Sequence, residues 1–79
     1  MEEKKQVQKI FGQVLKGLRK AKNLKQAKLA EICRMDETYI SDLERGNYMP
    51  SLYTILKLAT GLEIGIERFA KEIEIKLKS

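Results

Sequence analysis

The 79-residue chain is 43% hydrophobic and 34% charged, and its formal net charge is +5. It has one cysteine and no histidine, which excludes an intramolecular disulfide, a Ser–His or Cys–His catalytic pair and a zinc site. The apolar content is too high for a disordered chain, and the length suits one small domain that buries only about 60% of its unfolded surface. We therefore expect a single domain, residues 1–79, that is not an enzyme, needs no cofactor and gains stability by oligomerisation.

The charged residues are distributed unevenly along the chain. Residues 1–34 contain 10 Lys/Arg and 3 Asp/Glu, a net charge of +7, whereas residues 35–79 contain 6 and 8, a net charge of −2. This asymmetry indicates that the basic N-terminal half binds a polyanion and that the C-terminal half binds a protein partner. The alternative is that the charges only keep the protein soluble. The N-terminal sequence does not resemble a signal peptide, and no apolar run approaches 18 residues. We expect a cytoplasmic protein without a membrane partner.

The first predicted helix is long and amphipathic. Apolar residues at helical spacing predict about 16 helical residues, preceded by a short charged segment that we expect to be frayed. These apolar residues are Val7, Ile10, Phe11, Val14, Leu15, Leu18 and Ala21. Gly12 and Gly17 weaken this helix by about 1 kcal/mol each relative to Ala, a cost that close helix crossings would explain. Asn23 is a candidate for the residue just beyond the helix end, with Leu24 folding back onto the helix.

Residues 26–45 have the pattern of two short helices joined by a tight turn, which we call the motif. In the first helix, residues 26–33, small or apolar side chains are expected to face inward, namely Leu29, Ala30 and either Ile32 or Cys33. Ala30 lies where a second helix would cross closely. We interpret Cys33 as a small core residue rather than a reactive thiol.

The second motif helix is predicted over about residues 37–45, with Asp36 as its N-cap and Gly46 just beyond its end. Ile40 and Leu43 are its inward anchors. The outer face carries hydrogen-bond donors and acceptors and one planar guanidinium group. Its residues are Thr38, Tyr39, Ser41, Asp42 and Arg45. This pattern is typical of a helix-turn-helix, which consists of two crossed helices. The second helix has a polar outer face and enters the major groove of DNA.

Two further helices are predicted after the motif. Pro50 fixes the exit of a loop of residues 47–50, and Ser51 can cap a helix that Gly61 ends. The apolar stripe of this helix comprises Leu52, Ile55, Leu56, Ala59 and Leu62. A last amphipathic helix of about residues 66–77 carries Ile66, Phe69, Ala70, Ile73 and Leu77. The predicted fold class is therefore all-α, with five helices.

The chain resembles lambda-repressor-like (Xre-type) helix-turn-helix domains at three strings of residues: Gln26-Ala27-Lys28-Leu29-Ala30-Glu31, Tyr39-Ile40-Ser41-Asp42-Leu43-Glu44-Arg45-Gly46 and Pro50-Ser51-Leu52. Within that family it is most similar to the controller proteins of restriction–modification systems, which share the strings Thr38-Tyr39-Ile40-Ser41 and Glu44-Arg45-Gly46. The resemblance covers roughly residues 11–69. It implies a sequence-specific transcriptional regulator that binds double-stranded DNA as a homodimer on palindromic operators and controls restriction–modification genes.

The resemblance also implies which residues contact DNA. By position in the motif, the base-reading residues are Glu37, Thr38, Tyr39, Ser41 and Asp42. The corresponding phosphate contacts come from Lys25, Gln26, Lys28, Arg45, Asn47 and Tyr48. Glu37 stands where controller proteins commonly carry arginine, and a glutamate can only accept hydrogen bonds, for example from cytosine N4. The alternative for Glu37 and Asp42 is that they cap or steady the helix, so we expect Thr38 and Tyr39 to contribute more consistently.

Four further positions are interpreted through the resemblance. Lys25 occupies the usual Ser or Thr N-cap position, and lysine cannot accept a hydrogen bond from the free amides. A phosphate contact would explain this lysine, and neutral drift is the alternative. Arg34 stands where the family usually has glycine, so a positive φ there would cost about 1–2 kcal/mol. Arg19 and Glu44 match an internal ion pair of the family and are expected to be structural.

The C-terminal segment of about residues 64–77 is predicted to serve dimerisation. We expect its apolar stripe to pack partly on the first helix, with the remainder meeting a second copy across a two-fold axis. The residues expected at this interface are Ile64, Ile66, Phe69 and Ile73. Two recognition helices would then lie about 34 Å apart. Glutamates in this segment disfavour the alternative of a membrane-surface helix.

The resemblance implies further partners and leaves two other functions open. Tandem operators would assemble a tetramer, and activation would need an acidic residue in contact with RNA polymerase, for which Glu31, Asp42 and Glu44 are candidates. One alternative is a phage- or plasmid-type repressor, which also binds DNA. The other is an antitoxin that acts by binding a protein toxin.

Overall fold

The computed structural model describes residues 2–79, and these residues form five α-helices and no strand. The helices are α1 Glu2–Ala21, α2 Gln26–Cys33, α3 Glu37–Glu44, α4 Leu52–Gly61 and α5 Ile66–Lys78. α1 packs against α3 and α5, α2 packs against α3 and α4, and α4 also contacts α5. The predicted all-α class with five helices is confirmed.

The first helix begins earlier than predicted. The segment expected to be frayed is helical from residue 2, so that prediction was wrong for residues 2–5, and Met1 lies outside the described residues. Lys, Gln and Glu are good helix formers, and a carboxylate in the first turn, such as that of Glu3, interacts favourably with the helix dipole. Local propensity therefore extends α1 beyond its apolar stripe.

All five helices contribute to one core. Phe11 of α1 and Phe69 of α5 are its largest side chains, and their rings stack with centroids 5.4 Å apart. The other large, fully buried side chains are Leu15, Leu29, Ile40, Leu43, Leu58 and Leu62. Ile40 and Leu43 are both predicted anchors of α3, and their burial fixes which face of α3 is left for solvent.

The buried face of α4 overlaps the predicted one, because Ile55, Ala59 and Leu62 of the predicted stripe are buried or packed against the core. Leu58 is also buried. Leu52 and Leu56, which were predicted to belong to the buried stripe, are 66% and 45% exposed. The apolar residues of α4 fit two overlapping helical stripes, and packing against α2 and α5 selects the one that contains Leu58.

Three helices end with the same backbone geometry. Asn23, Arg34 and Glu63 have φ values of 58°, 55° and 59°, the left-handed conformation common just beyond a helix end. After each of them, the next amide donates to the carbonyl five residues earlier, as in a Schellman motif. The prediction for Asn23 is confirmed, and Arg34 has the costly positive φ. The left-handed residue after α4 is Glu63, whereas Gly61 is the last helical residue.

Gly12 allows α1 and α3 to approach closely. A Cβ atom at this position would clash with the backbone carbonyl oxygen of Leu43 and lie 2.6 Å from that of Glu44. At Gly17, in contrast, a Cβ would meet nothing within 4 Å. The close crossing suggested for both glycines is therefore present at Gly12 and absent at Gly17.

Replacing these two glycines by alanine is expected to change stability in opposite directions. Gly12→Ala should lower the free energy of unfolding by about 1–3 kcal/mol, because the backbone of α3 must move away. Gly17→Ala is the matched control and should raise it by about 0.5–1 kcal/mol through helix propensity alone. Urea unfolding followed by circular dichroism measures both, and equal effects of the two changes would contradict the close crossing.

Candidate nucleic-acid interface

The motif consists of α2, a tight turn and α3. The side chain of Asp36 accepts a hydrogen bond of 3.0 Å from the amide of Thr38, so the predicted N-cap of α3 is confirmed. α3 ends at Glu44, one residue earlier than predicted, with Arg45 as its C-cap. Gly46 follows with φ 78°, the left-handed conformation that glycine adopts without strain.

The predicted base-reading residues do not all lie on one surface. Glu37 and Thr38 are exposed, and Ser41 and Asp42 are partly exposed beside them. Tyr39 instead lies at the edge of this surface, where it packs against the core and against Tyr48, with ring centroids 6.1 Å apart. The helical positions of the other four place them together on the solvent side of α3.

Arg45 contacts two of the predicted base-reading side chains. Its guanidinium donates a hydrogen bond of 2.6 Å to Ser41 Oγ and forms an ion pair with the Asp42 carboxylate. These contacts support the interpretation that Asp42 steadies the helix, because its charge is matched within α3. They also hold Arg45 over the outer face of α3, close to the predicted base-reading side chains.

Glu37 has different surroundings from Asp42. Among the side chains of residues 3–79, none forms an ion pair or hydrogen bond with Glu37, and the N-cap is Asp36. Its carboxylate lies in the first turn of α3, where the helix dipole favours a negative charge. Glu37 is therefore exposed and free to accept a hydrogen bond from outside the protein.

The N-terminus of α2 is exposed and has no side-chain cap. Lys25 is the N-cap residue with φ −81° and ψ 159°, and its side chain makes no capping hydrogen bond. The first amides of a helix have no partner within the helix, and they favour an anion. Lys28 lies one turn into α2 and is paired with Glu31 at 3.2 Å on the surface. The two lysines flank amides that can bind a phosphate.

Gln26 is oriented differently from its predicted role as a phosphate contact. Its Nε2 atom donates a hydrogen bond of 2.9 Å to Glu44 Oε1, which directs the side-chain amide toward the interior. The backbone amide of Gln26 still belongs to the exposed N-terminus of α2. The side chain therefore links α2 to the end of α3.

A buried ion pair connects α1 to α3. Arg19 Nε lies 2.6 Å from Glu44 Oε2, Arg19 Nη2 lies 3.0 Å from Oε1, and Arg19 Nη1 donates to the Leu24 carbonyl at 2.7 Å. The two side chains are only 8% and 3% exposed. The hydrogen bonds to Glu44 raise the pKa of Arg19 above its usual value. This is the internal pair that the resemblance implied, and it fixes the end of α3 against α1.

The remaining predicted phosphate contacts lie in the loop after α3. Asn47 and Tyr48 are exposed at the C-terminal end of α3, next to Arg45. The carbonyl oxygen of Gly46 accepts a hydrogen bond of 3.3 Å from Gln8 Nε2 of α1. The predicted phosphate contacts thus form two groups, one at the start of α2 and one at the end of α3.

The predicted dimerisation segment exposes less apolar surface than expected. Phe69 is only 1% exposed because it stacks on Phe11 within the protomer, so it does not have the exposed surface that was expected to meet a second copy. Ile64 and Ile73 are half-buried and pack against the same core, and Ile66 is also half-buried. Most of the stripe is covered by the protomer itself.

A larger group of exposed apolar side chains lies on α4 and the adjacent end of α2, and two of them, Leu52 and Leu56, were predicted to be buried. We call it the α4 surface, and it comprises Ile32, Leu52, Tyr53 and Leu56, with exposures of 44%, 66%, 69% and 45%. Three of these residues line a groove of about 530 Å³ between α2 and α4. The signal in the sequence was that the apolar residues of α4 exceed what one helical face can hold.

Residues 2–79 hold no group of three or more His, Cys, Asp or Glu side chains placed to bind a metal ion. None of the helices formed by these residues combines the length and apolarity needed to cross a membrane.

Comparison with known proteins identifies the family. A family model described as helix-turn-helix matches residues 15–69, a range that includes α2 and α3 and most of the core. The chain belongs to the helix-turn-helix family. The resemblance found in the sequence is therefore confirmed.

Three relatives illustrate how similar this chain is to other members. The crystal structure of the restriction-modification controller protein C.AhdI from Aeromonas hydrophila has 44% identity and a TM-score of 0.75, and the match covers 81% of this chain and 96% of that one. Control protein C.BamHI of Bacillus amyloliquefaciens is 43% identical over 56 residues, which are 70% of this chain and 69% of that protein. The ImmF control region 10 kDa protein of Bacillus phage phi105 is 43% identical over 51 residues, 65% of this chain. The match spans only 57% of the length of that phage protein.

Removing one partner of the Arg19–Glu44 pair is expected to destabilise the fold strongly. Arg19→Met leaves the Glu44 carboxylate buried without its cation, which should lower the free energy of unfolding by about 3–5 kcal/mol. The exposed pair Arg68–Glu72 on α5, at 3.3 Å, provides the matched control. Arg68→Met should cost no more than about 0.5 kcal/mol, as expected of a solvent-screened pair. Comparable losses in the two variants, measured by denaturant unfolding, would contradict the structural role of Arg19.

Proposed function

We propose that this protein is a transcriptional regulator that binds specific sequences of double-stranded DNA. The observation that carries the proposal is the position of α3, which buries Ile40 and Leu43 and turns a polar face to solvent. An α-helix with its side chains is about 10–12 Å wide, which matches a major groove about 12 Å wide. This function requires no catalytic or cofactor chemistry and would be exercised in the cytoplasm.

The polar face of α3 supplies the proposed base contacts. Glu37 can accept from cytosine N4, and Thr38 can place its methyl group against thymine. Ser41 and Asp42 lie one turn further along α3, where Arg45 holds them. Tyr39 is assigned to the edge of the contact area because its ring is partly buried. No arginine or lysine lies in the first turn of α3, so discrimination among bases depends on acceptors, hydroxyls and apolar contacts.

Two groups of residues supply the proposed phosphate contacts. The first is the N-terminus of α2, where Lys25 and Lys28 add positive charge to the free amides and the helix dipole. The second is the end of α3, with Arg45, Asn47 and Tyr48. Gln26 contributes its backbone amide, while its side chain supports Glu44. The hydrogen bond between Gln26 and Glu44 places the start of α2 next to the end of α3, so the two groups can contact neighbouring phosphates.

Restriction–modification control is the biological role that we propose. C.AhdI is described as a restriction-modification controller protein and C.BamHI as a control protein, and these two relatives are 44% and 43% identical to this chain over the matched residues. Control of a phage immunity region is the second candidate, because the phi105 protein is also 43% identical over its matched residues.

If the protein activates transcription, Glu31 is the acidic residue best placed to contact RNA polymerase. Its side chain is 72% exposed, whereas Glu44 is buried.

We also propose that the protein binds its operator as a homodimer, with a tetramer on tandem sites. A 79-residue protomer has a small core, and the exposed apolar side chains would be covered in a dimer. The predicted interface on α5 retains the half-buried Ile64, Ile66 and Ile73 together with the exposed Ile75 and Leu77. The α4 surface is the competing location, since its side chains are more exposed.

Selection from randomised DNA duplexes tests the proposed function. We expect enrichment of an inverted repeat whose half-sites are about 34 Å, or one helical turn, apart, since each recognition helix reads one half-site. The salt dependence of binding to the enriched sequence should be steep, because several phosphates are neutralised. Failure to enrich any sequence, with only weak and salt-sensitive binding, would contradict sequence-specific recognition.

The location of the dimer interface is tested by two matched substitutions. Ile73→Glu changes the predicted α5 interface, and Leu56→Glu changes the α4 surface. We expect Ile73→Glu to shift the dissociation midpoint to higher protein concentration by at least tenfold, because a charge would be buried between the protomers. Sedimentation velocity measures the shift, with circular dichroism as the check on folding. Dissociation caused by Leu56→Glu alone would place the interface on α4.

A further inference from the structure

α1 carries an exposed row of lysines that has no assigned role. Lys5, Lys9 and Lys16 are spaced by four and seven residues, so they project from the same side of the helix. All three are exposed, and we call them the α1 lysine row. At a rise of about 1.5 Å per residue the row is about 16 Å long.

The row lies beside the C-terminal end of α3. Gln8 donates to the carbonyl oxygen of Gly46 at 3.3 Å, and a Cβ built on Gly46 would lie 2.9 Å from the Cα atom of Lys9. One turn further along α1, Gly12 touches the last carbonyl groups of α3. Lys9 follows Gln8 in the chain, and Lys16 lies one turn beyond Gly12, so the row flanks this line of contact.

The positive charge of the row is not matched by a side chain of residues 3–79. The ion pairs formed by residues 3–79 involve none of its three lysines. The carboxylate of α3 nearest to α1 is that of Glu44, which is buried and paired with Arg19. The row therefore presents three positive charges along the part of α1 that borders the end of α3, where Arg45 and Asn47 are proposed to hold phosphates.

We propose that the α1 lysine row binds the DNA backbone beyond the C-terminal end of α3. This inference rests on the proposed function and extends it, since it adds a third group of phosphate contacts to the two in the motif. With α3 in the major groove, the sugar–phosphate backbone that borders the groove passes the end of α3. A straight row of lysines about 16 Å long can follow several phosphates there, because each strand of duplex DNA carries one negative charge per about 3.4 Å of the helix axis.

Contacts between these lysines and phosphates would add affinity for DNA without distinguishing base pairs. Lysine binds phosphate as a flexible point charge, and phosphate contacts position a protein without distinguishing base pairs. The row also accounts for part of the positive charge of residues 1–34, which the motif alone does not use. The absence of cations from the first turn of α3 makes such flanking contacts more important for affinity.

The test compares two triple substitutions that remove the same charge from different places. One variant carries Lys5→Gln, Lys9→Gln and Lys16→Gln, and the control carries Lys71→Gln, Lys76→Gln and Lys78→Gln on α5. Fluorescence anisotropy with the selected operator duplex measures the slope of log K against log salt concentration. We expect the slope of the α1 variant to fall by about 0.9 per lost contact, or about 2.7 in all, and that of the control to change little. The enriched sequence should stay the same in both variants.

The possible outcomes separate the inference from the proposed function. If the wild-type protein selects an operator and the α1 variant loses no more salt dependence than the control, the lysine row does not bind DNA and the proposed function stands. If the wild-type protein selects no sequence, both are overturned. Thermal unfolding of each variant shows whether it is folded, and Lys→Gln preserves helix propensity closely enough for the comparison.

Discussion

The arrangement of the motif depends on the buried contact between Arg19 and Glu44. Glu44 is the last residue of α3, Arg19 belongs to the last turn of α1, and the arginine also holds the carbonyl oxygen of Leu24 in the segment that leads to α2. Gln26, the first residue of α2, donates to the same carboxylate. One carboxylate thus fixes α1, α2 and α3 relative to one another. The hydrogen bonds satisfy both charged groups, which offsets the cost of removing them from water.

Much of the fold and of the motif could be predicted from the sequence because local signals agreed with one another. The cap at Asp36 and the glycine after α3 indicate the bounds of α3 to within one residue, and the spacing of apolar residues indicates the buried face of α1. On α4 the burial of Ile55, Ala59 and Leu62 was predicted correctly, whereas the exposure of Leu52 and Leu56 was not. Apolar residues occupy more than one face of α4, and only the positions of α2 and α5 select among these faces. The burial of Phe69 depends on its stacking with Phe11, a contact between residues far apart in the chain.

The site residues also divide into those whose positions the sequence could predict and those whose positions depend on contacts between helices. Exposure of Glu37, Thr38 and Lys25 follows from helical position alone, so the sequence could predict it. The side chain of Gln26 turns inward because a buried carboxylate lies within its reach, and that depends on how α3 ends against α1. The charge of Asp42 is matched by Arg45 one turn later. A DNA phosphate near Arg45 would compete with Asp42 for the guanidinium, so the proposed base contacts and phosphate contacts of α3 would be coupled.

The left-handed backbone at Arg34 has a consequence for how the motif forms. α2 and α3 each have only eight residues, which is shorter than the 12–15 residues that an isolated helix needs in water. The turn that joins them contains a non-glycine residue in a conformation that costs about 1–2 kcal/mol, and α2 begins without a side-chain cap. The two helices therefore have little stability of their own and are held in place by the core. Their surface exists only in the completely folded domain, so the concentration of binding-competent protein follows the folding equilibrium of the whole chain.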